Sequence, residues 1–300
     1  MIVISGIKKI KKFIRPVVAL GVFDGLHRGH RIILKAAVKR AREIQGTSIA
    51  LTFYPHPKNQ LSLNSLEHRV KLIAQLGIDV CIVIDFTTSF ANMSASDFID
   101  KILVQKMEVD FIYVGKNFHF GYKAAGSYEL LKNAEKKFNF KVRGFNILKS
   151  KDEIISSTMI RKLIKSAKIK VAQRLLGRRV SILGSVIKGS RLARVLGFPT
   201  ANINPHHEII PADGIYAVKV GILKKSYKGI CYIGKKPTLG DKNRSVHIEV
   251  HIFNFNKNIY GQTLEIQFIE LIRLDKKFSS LKKLTQQIKK DITTCRKILQ

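Results

Sequence analysis

Cysteine is scarce in this chain. Cys81, Cys231 and Cys295 are odd in number and far apart, which indicates neither a disulfide framework nor a zinc cluster and fits a reducing cytoplasm. Long apolar runs are also lacking: the uninterrupted ones, such as Val80–Ile84, are far too short to cross a bilayer. Met1–Ile7 lacks the charged-then-apolar order of a signal peptide, and the basic Lys8–Arg15 stretch reads as a solvated lead-in to the first strand. The expectation is a cytoplasmic protein with no membrane partner. Acidic residues are few, 21 Asp and Glu against 54 Lys and Arg, leaving a formal charge of +33. Such a balance favours phosphate-bearing partners and permits non-specific nucleic-acid binding, but it names neither. The lysines are spread over nearly every segment of a chain also rich in Ile and Asn, so biased codon usage is the simpler source of much of the excess. There is no internal repeat and no low-complexity linker.

What is present is ample core material. The chain has 300 residues, 45% apolar and 25% charged, which suits a globular protein of two domains better than one. From residue 16 to about 148, short apolar runs alternate with helical patterns, as in a parallel sheet wrapped by helices. The strand candidates are Val17–Leu20, Ser48–Phe53, Val80–Phe86, Asp110–Val114 and Lys141–Leu148. Ile33, Ala37, Ala41 and Ile44 recur at helical spacing before Gly46, and Ser94 with Asp97 forms a capping box ahead of Phe98, Ile102 and Leu103. A doubly wound α/β domain follows from this pattern.

After Leu176 the rhythm changes to period two, in Tyr216, Val218, Val220 and Ile222 and again in Ile248, Val250 and Ile252. Hairpin-linked strands are expected, with Leu223–Ser226 and Asn254–Gly261 as hairpin loops. Leu281, Leu284, Ile288, Ile292 and Cys295 then mark a helical stripe. The second domain is therefore read as a mainly antiparallel β-barrel or sandwich with a C-terminal helix, the boundary lying near residue 176.

The run Gly21-Val22-Phe23-Asp24-Gly25-Leu26-His27-Arg28-Gly29-His30 lies between the first strand candidate and the first helix. In an open α/β sheet that is the edge where ligands bind. Glycines admit close backbone approach, a helix N-terminus offers free N–H groups, and two imidazoles three residues apart suit phosphate oxygens. A metal site is the weaker alternative, because no third ligand stands at a recognisable spacing. The run resembles the H-x-G-H signature of nucleotidyltransferases.

Further stretches narrow the resemblance. Phe53-Tyr54-Pro55-His56-Pro57, Gly115-Lys116-Asn117-Phe118-His119-Phe120-Gly121 and Ile155-Ser156-Ser157-Thr158-Met159-Ile160-Arg161 follow in order. In the second half come Leu176-Gly177-Arg178, Gly197-Phe198-Pro199-Thr200-Ala201-Asn202, Pro211-Ala212-Asp213-Gly214-Ile215-Tyr216, Ile233-Gly234-Lys235-Lys236-Pro237-Thr238, His247-Ile248-Glu249-Val250-His251 and Ile259-Tyr260-Gly261. Together they resemble the bacterial bifunctional riboflavin kinase/FAD synthetase family over nearly the whole chain.

That resemblance implies an FAD synthetase domain at residues 1–176 of nucleotidyltransferase fold, and a riboflavin kinase domain at 177–300. The substrates would be ATP, riboflavin and FMN, the product FAD, and the cofactor Mg²⁺. In the first domain His27, His30, Asn117 and Arg161 would act on ATP, with Gly21, Phe23, Asp24, Gly25, Gly29, Ser156, Ser157 and Thr158 around its phosphates. In the second, Pro199, Thr200 and Asn202 would meet nucleotide, Thr200 and Asn202 would hold Mg²⁺, and Glu249 would be the general base. Strand alternation independently turns Glu249 away from the apolar row of Ile248, Val250 and Ile252. The chain departs from the family pattern at Tyr54, His119, Asn254, Asn258 and Leu192-Ala193. No specific nucleic-acid partner is expected, and the protein is read as a monomer or weak homo-oligomer. A single-activity nucleotidyltransferase and an RNA-binding protein are the competing readings. The intact Thr200, Asn202 and Glu249 weigh against the first, and nothing resembling an RNA-recognition motif supports the second.

Overall fold

The computed structural model describes residues 1–150, 153–189, 192–222, 225–235 and 246–300. The chain divides into two compact units: Met1–Ser62 with Leu66–Ser157, and Leu63–Ser65 with Thr158–Gln300.

In the first unit, β1 (Ile2–Ser5), β2 (Val17–Leu20), β3 (Ser48–Tyr54), β4 (Val80–Asp85), β5 (Phe111–Gly115) and β6 (Lys141–Phe145) form one six-stranded sheet in the order β1-β4-β3-β2-β5-β6. Every neighbouring pair is parallel. Parallel strands covered on both sides must be apolar throughout. Val17, Val18, Ala19 and Leu20 accordingly lie at or below 1% exposure. Alternate residues feed opposite layers: Val18 and Leu20 pack with Phe98 and Ile102, whereas Val17 and Ala19 pack with Ile33, Leu34 and Ala37.

The covering helices are α1 (Arg28–Glu43), α2 (Leu66–Ala74), α3 (Thr88–Ala91), α4 (Ala95–Asp97) and α5 (Tyr128–Ala134). The expected capping residue Ser94 accepts from the Asp97 N–H at 3.0 Å, and α4 runs on into a π-helix at Phe98–Lys106. All five strand candidates are present, the last ending at Phe145 rather than Leu148 and followed by the small β7 (Lys149–Ser150) and β8 (Glu153–Ile154) pair. The sequence reading missed β1. It is short, and its Ile2 and Val3 are exposed at the sheet edge, so it carries no burial signature.

The second unit begins with α6 (Ser157–Lys165) after its first residue and α7 (Ile169–Leu176). The compact division thus falls at residues 157/158, ahead of the change of rhythm near 176. Gln173 of α7 donates to the Phe268 carbonyl at 2.9 Å, which fastens the helix to the strands of this unit. These are β9 (Val180–Ile187), β10 (Ala201–Pro205), β11 (Gly214–Ile222), β12 (Lys225–Lys235), β13 (Val246–Ile252) and β14 (Thr263–Leu274), with the short α8 (Leu192–Val195) between β9 and β10. They close into an antiparallel barrel in the order β10-β13-β12-β11-β14-β9.

Tyr216, Val218 and Val220 are fully buried on one face of β11. From its other face, Ile215 and Ala217 pack with Ile230, Phe253, Cys295 and Leu299 beneath α9 (Leu281–Ile298). A bidentate pair, Arg273 to Asp291 with contacts of 2.8 to 3.1 Å, holds α9 against β14. Two expectations need correction. Leu281 opens the helix but is 58% exposed, so the packed part of the stripe starts further along, with Cys295 in the core cluster and Ile292 packed against it. Asn254–Gly261 is not a hairpin loop: β13 pairs with β10 and β12, while β14 pairs with β9 and β11, so the segment crosses between non-adjacent strands. Residues 223–224 of the other expected loop lie outside the described residues, although Ile222 and Lys225 flank them as a pair.

Candidate active sites

The first site sits where the sheet changes direction. From β2 the chain winds outward through β3 and β4, then returns to place β5 on the other side of β2. The carboxyl ends of β2 and β5 therefore flank a crevice, the usual ligand position in such a sheet. Gly21–His30 leaves β2 there, and Gly115–Gly121 leaves β5.

The loop after β2 is held in an unusual conformation. Phe23 and Leu26 have positive φ of 51° and 43°, rare for bulky side chains, while Gly25 at 79° takes that region without cost. Phe23 and Leu26 are fully buried, so core packing sustains the strain. His27 then caps α1, its Nδ1 accepting from the His30 N–H at 3.4 Å. The two imidazoles stack with centroids 3.7 Å apart, and Phe23 meets His30 edge-on at 5.5 Å. A Cβ at Gly29 would stand 3.2 Å from the His27 ring, a tight contact that glycine avoids.

Burial lowers the His27 pKa to about 4. Burial lowers that of His30 as well, helped by the nearby His27 and Arg69 charges. Both rings are thus neutral at pH 7. With Nδ1 of His27 accepting, its proton sits on Nε2, leaving an N–H donor beside the free N–H groups of the α1 terminus. Ser157 Oγ donates to the Asp24 carbonyl at 2.8 Å, which ties the start of α6 to the same loop.

Arg69 was not singled out from the sequence. It is fully buried and donates to the Val22 and Phe53 carbonyls at 3.1 Å and to Thr52 Oγ1 at 3.3 Å. Its guanidinium stitches the ends of β2 and β3 together and puts a cation beneath the loop, where the Asp24 carboxylate offsets part of its burial. The available signal was helical spacing, since Arg69 shares the buried face of α2 with Leu72 and Ile73. Among the other expected residues, Asn117 is exposed on the turn after β5, and the Gly115 backbone lies close to its Oδ1. Thr158 and Arg161 lie in α6, within the second unit, and Arg161 is half-buried.

The second site straddles β10 and β13. Antiparallel register sets Asn202 opposite Glu249, and Thr200 Oγ1 donates to Glu249 Oε2 at 3.2 Å. Ile248, Val250 and Ile252 are buried and Glu249 half-buried, the alternation read from the sequence. A cavity of about 380 Å³ opens here, lined by Pro199, Thr200, Asn202, Gly189, Asn258 and Tyr260 among others, a volume suited to a nucleotide-sized ligand. A Cβ on Gly189 would collide with the Asn202 side-chain amide, so glycine lets the chain pass directly over it. That contact was not legible from the sequence.

The donors are a hydroxyl, an amide oxygen and a carboxylate, all hard oxygens that fit a magnesium ion sharing substrate phosphates. Among the described residues, no group of three or more His, Cys, Asp or Glu could hold a metal without such a ligand. Lys236, Pro237 and Thr238 of the expected motif lie outside the described residues.

Comparison with known proteins matches each half of the chain to a family. The FAD synthetase family matches residues 9–159, and the riboflavin kinase family matches residues 176–299. A bifunctional riboflavin kinase/FMN adenylyltransferase of Buchnera aphidicola (from Schizaphis graminum) is 39% identical over 99% of this chain and 98% of its own length. The chain belongs to the bifunctional riboflavin kinase/FMN adenylyltransferase family. Members so named from Haemophilus influenzae and Bacillus subtilis are each 35% identical over 92% of this chain, spanning 92% and 90% of their own lengths. A Streptococcus pneumoniae crystal structure titled a macrolide-efflux protein shares the fold throughout, with a TM-score of 0.88, 31% identity and 99% coverage of both chains. Among the described residues of this family member, no helix is long and apolar enough to cross a membrane.

Proposed function

We propose that the chain phosphorylates riboflavin to FMN in residues 177–300 and adenylylates FMN to FAD in residues 1–176. The observation that carries this reading is the pairing of two complete family halves with two sites of different chemistry, a neutral donor loop in one and a Thr200–Glu249 couple in the other. In the kinase half, Glu249 accepts the proton of the riboflavin 5′-hydroxyl as that oxygen bonds to the γ-phosphorus of ATP and ADP leaves. Thr200 and Asn202 would hold magnesium, with Pro199 beside them. When bound, the ion would supply charge neutralisation for phosphoryl transfer.

In the synthetase half, an FMN phosphate oxygen bonds to the α-phosphorus of ATP, and the bond to pyrophosphate breaks. The nucleophile is already an anion, so no general base is required. His27 Nε2–H, His30 and the α1 terminus stabilise the phosphates, with Gly21, Phe23, Asp24, Gly25 and Gly29 shaping the loop. Asn117 places the reacting groups, while Ser156, Ser157, Thr158 and Arg161 take the leaving phosphates. The protein works on small molecules in the cytoplasm, as a monomer or weak homo-oligomer, with no specific nucleic-acid partner. Purified protein given riboflavin, ATP and Mg²⁺ is expected to yield FMN and then FAD with pyrophosphate, resolved by chromatography. Absence of FMN would overturn the proposal.

A further inference from the structure

The polar stretch Pro199-Thr200 must be held still for Thr200 to face Glu249, yet the β10–β13 ladder begins only at the Ala201–Val250 pair. Proline has no N–H with which to extend that ladder. The structure supplies another tether. His251, two residues beyond Glu249 on the same face of β13, has Nδ1 2.8 Å from the Pro199 carbonyl. A carbonyl oxygen only accepts, so Nδ1 carries the proton and donates. The ring itself is braced between two phenylalanines, with Phe198 edge-on at 6.2 Å and Phe253 at 5.6 Å.

Fixing one atom of a peptide fixes the whole plane. The Pro199 carbonyl and the Thr200 N–H point in opposite directions across a planar trans bond, so a carbonyl drawn to His251 turns the Thr200 N–H the other way. It also sets the origin of the Thr200 side chain, whose hydroxyl reaches Glu249 at 3.2 Å. We propose that His251 is a positioning residue for phosphoryl transfer: its Nδ1–H bond to Pro199 sets the Pro199–Thr200 peptide and so aligns Thr200 with Glu249. This rests on the kinase reading of the second site.

The test compares His251→Leu, which removes the donor, with His251→Asn, whose amide nitrogen can donate from nearly the same place. Riboflavin phosphorylation is measured in the full chain with Mg²⁺, giving kcat and the riboflavin KM. Losing one positioning hydrogen bond predicts a fall in kcat of about tenfold in the Leu variant. Its riboflavin KM should stay within about twofold, and the Asn variant should recover to within about threefold of wild type, for the same single bond. A Leu variant with wild-type kcat overturns the proposal. So do Leu and Asn variants that are equally impaired, since a general packing defect would not distinguish them by donor, and so does a loss expressed wholly in KM. Failure of the kinase reading itself is separately visible, as wild-type protein that makes no FMN.

Discussion

The two halves handle phosphate in opposite ways. The synthetase site offers neutral imidazoles, a helix terminus and a buried arginine beneath its loop, with the Asp24 carboxylate buried close to Arg69. The kinase site instead carries a half-buried glutamate bonded to the hydroxyl of Thr200, which lines its cavity. The contrast follows from the nucleophiles. An FMN phosphate arrives deprotonated and needs only alignment and charge dispersal, whereas a riboflavin hydroxyl must lose a proton while it attacks. A carboxylate serves the second step and would repel the anions of the first.

Breaking each site should therefore spare the other. Replacing both His27 and His30 with alanine is expected to lower FAD formation from FMN by about 10³-fold, the upper range for losing preorganised donors, with riboflavin phosphorylation unchanged. Glu249→Gln is expected to lower phosphorylation by about 10²-fold while FMN adenylylation persists. The change is nearly isosteric on a face turned away from the core, so it tests proton transfer rather than packing.

Acid sharpens the comparison with a smaller effect. The folded-state pKa of His27 lies near 4, below the ordinary 6.5 of the unfolded chain. Its contribution to stability is therefore fully present above pH 6.5 and is lost as pH falls toward 4, where the unfolded chain binds a proton that the folded one refuses. Between pH 7 and 5 this amounts to about 2 kcal/mol for the one histidine. His27→Gln should remove that part of the acid sensitivity, read as a smaller drop in the synthetase-half melting temperature. An unchanged pH slope in the variant would show that His27 is solvated instead.

Much of this was legible in the sequence where the determinants are local. The Gly21–His30 run is contiguous, so glycine placement and helix entry could be read directly, and the period of two along Ile248–Ile252 was enough to orient Glu249. What escaped depends on contacts between distant segments. Arg69 matters through the Val22 and Phe53 carbonyls, 47 and 16 residues away. Gly189 matters because the chain returns across Asn202, and His251 because it reaches Pro199 across 52 residues. Asn254–Gly261 was misread for a related reason: periodicity shows that two strands exist but not which strands are neighbours in a barrel.

Mixing two defective proteins tests the division of labour most directly. The His27→Ala/His30→Ala chain retains the kinase chemistry, and the Glu249→Gln chain retains the adenylyl transfer. Each alone, given riboflavin, ATP and Mg²⁺, is expected to make almost no FAD. Combined in one tube, they should make it, because FMN released by the first is taken up by the second. A mixture as inactive as its components, with supplied FMN also left unconverted, would contradict the assignment of one chemistry to each half.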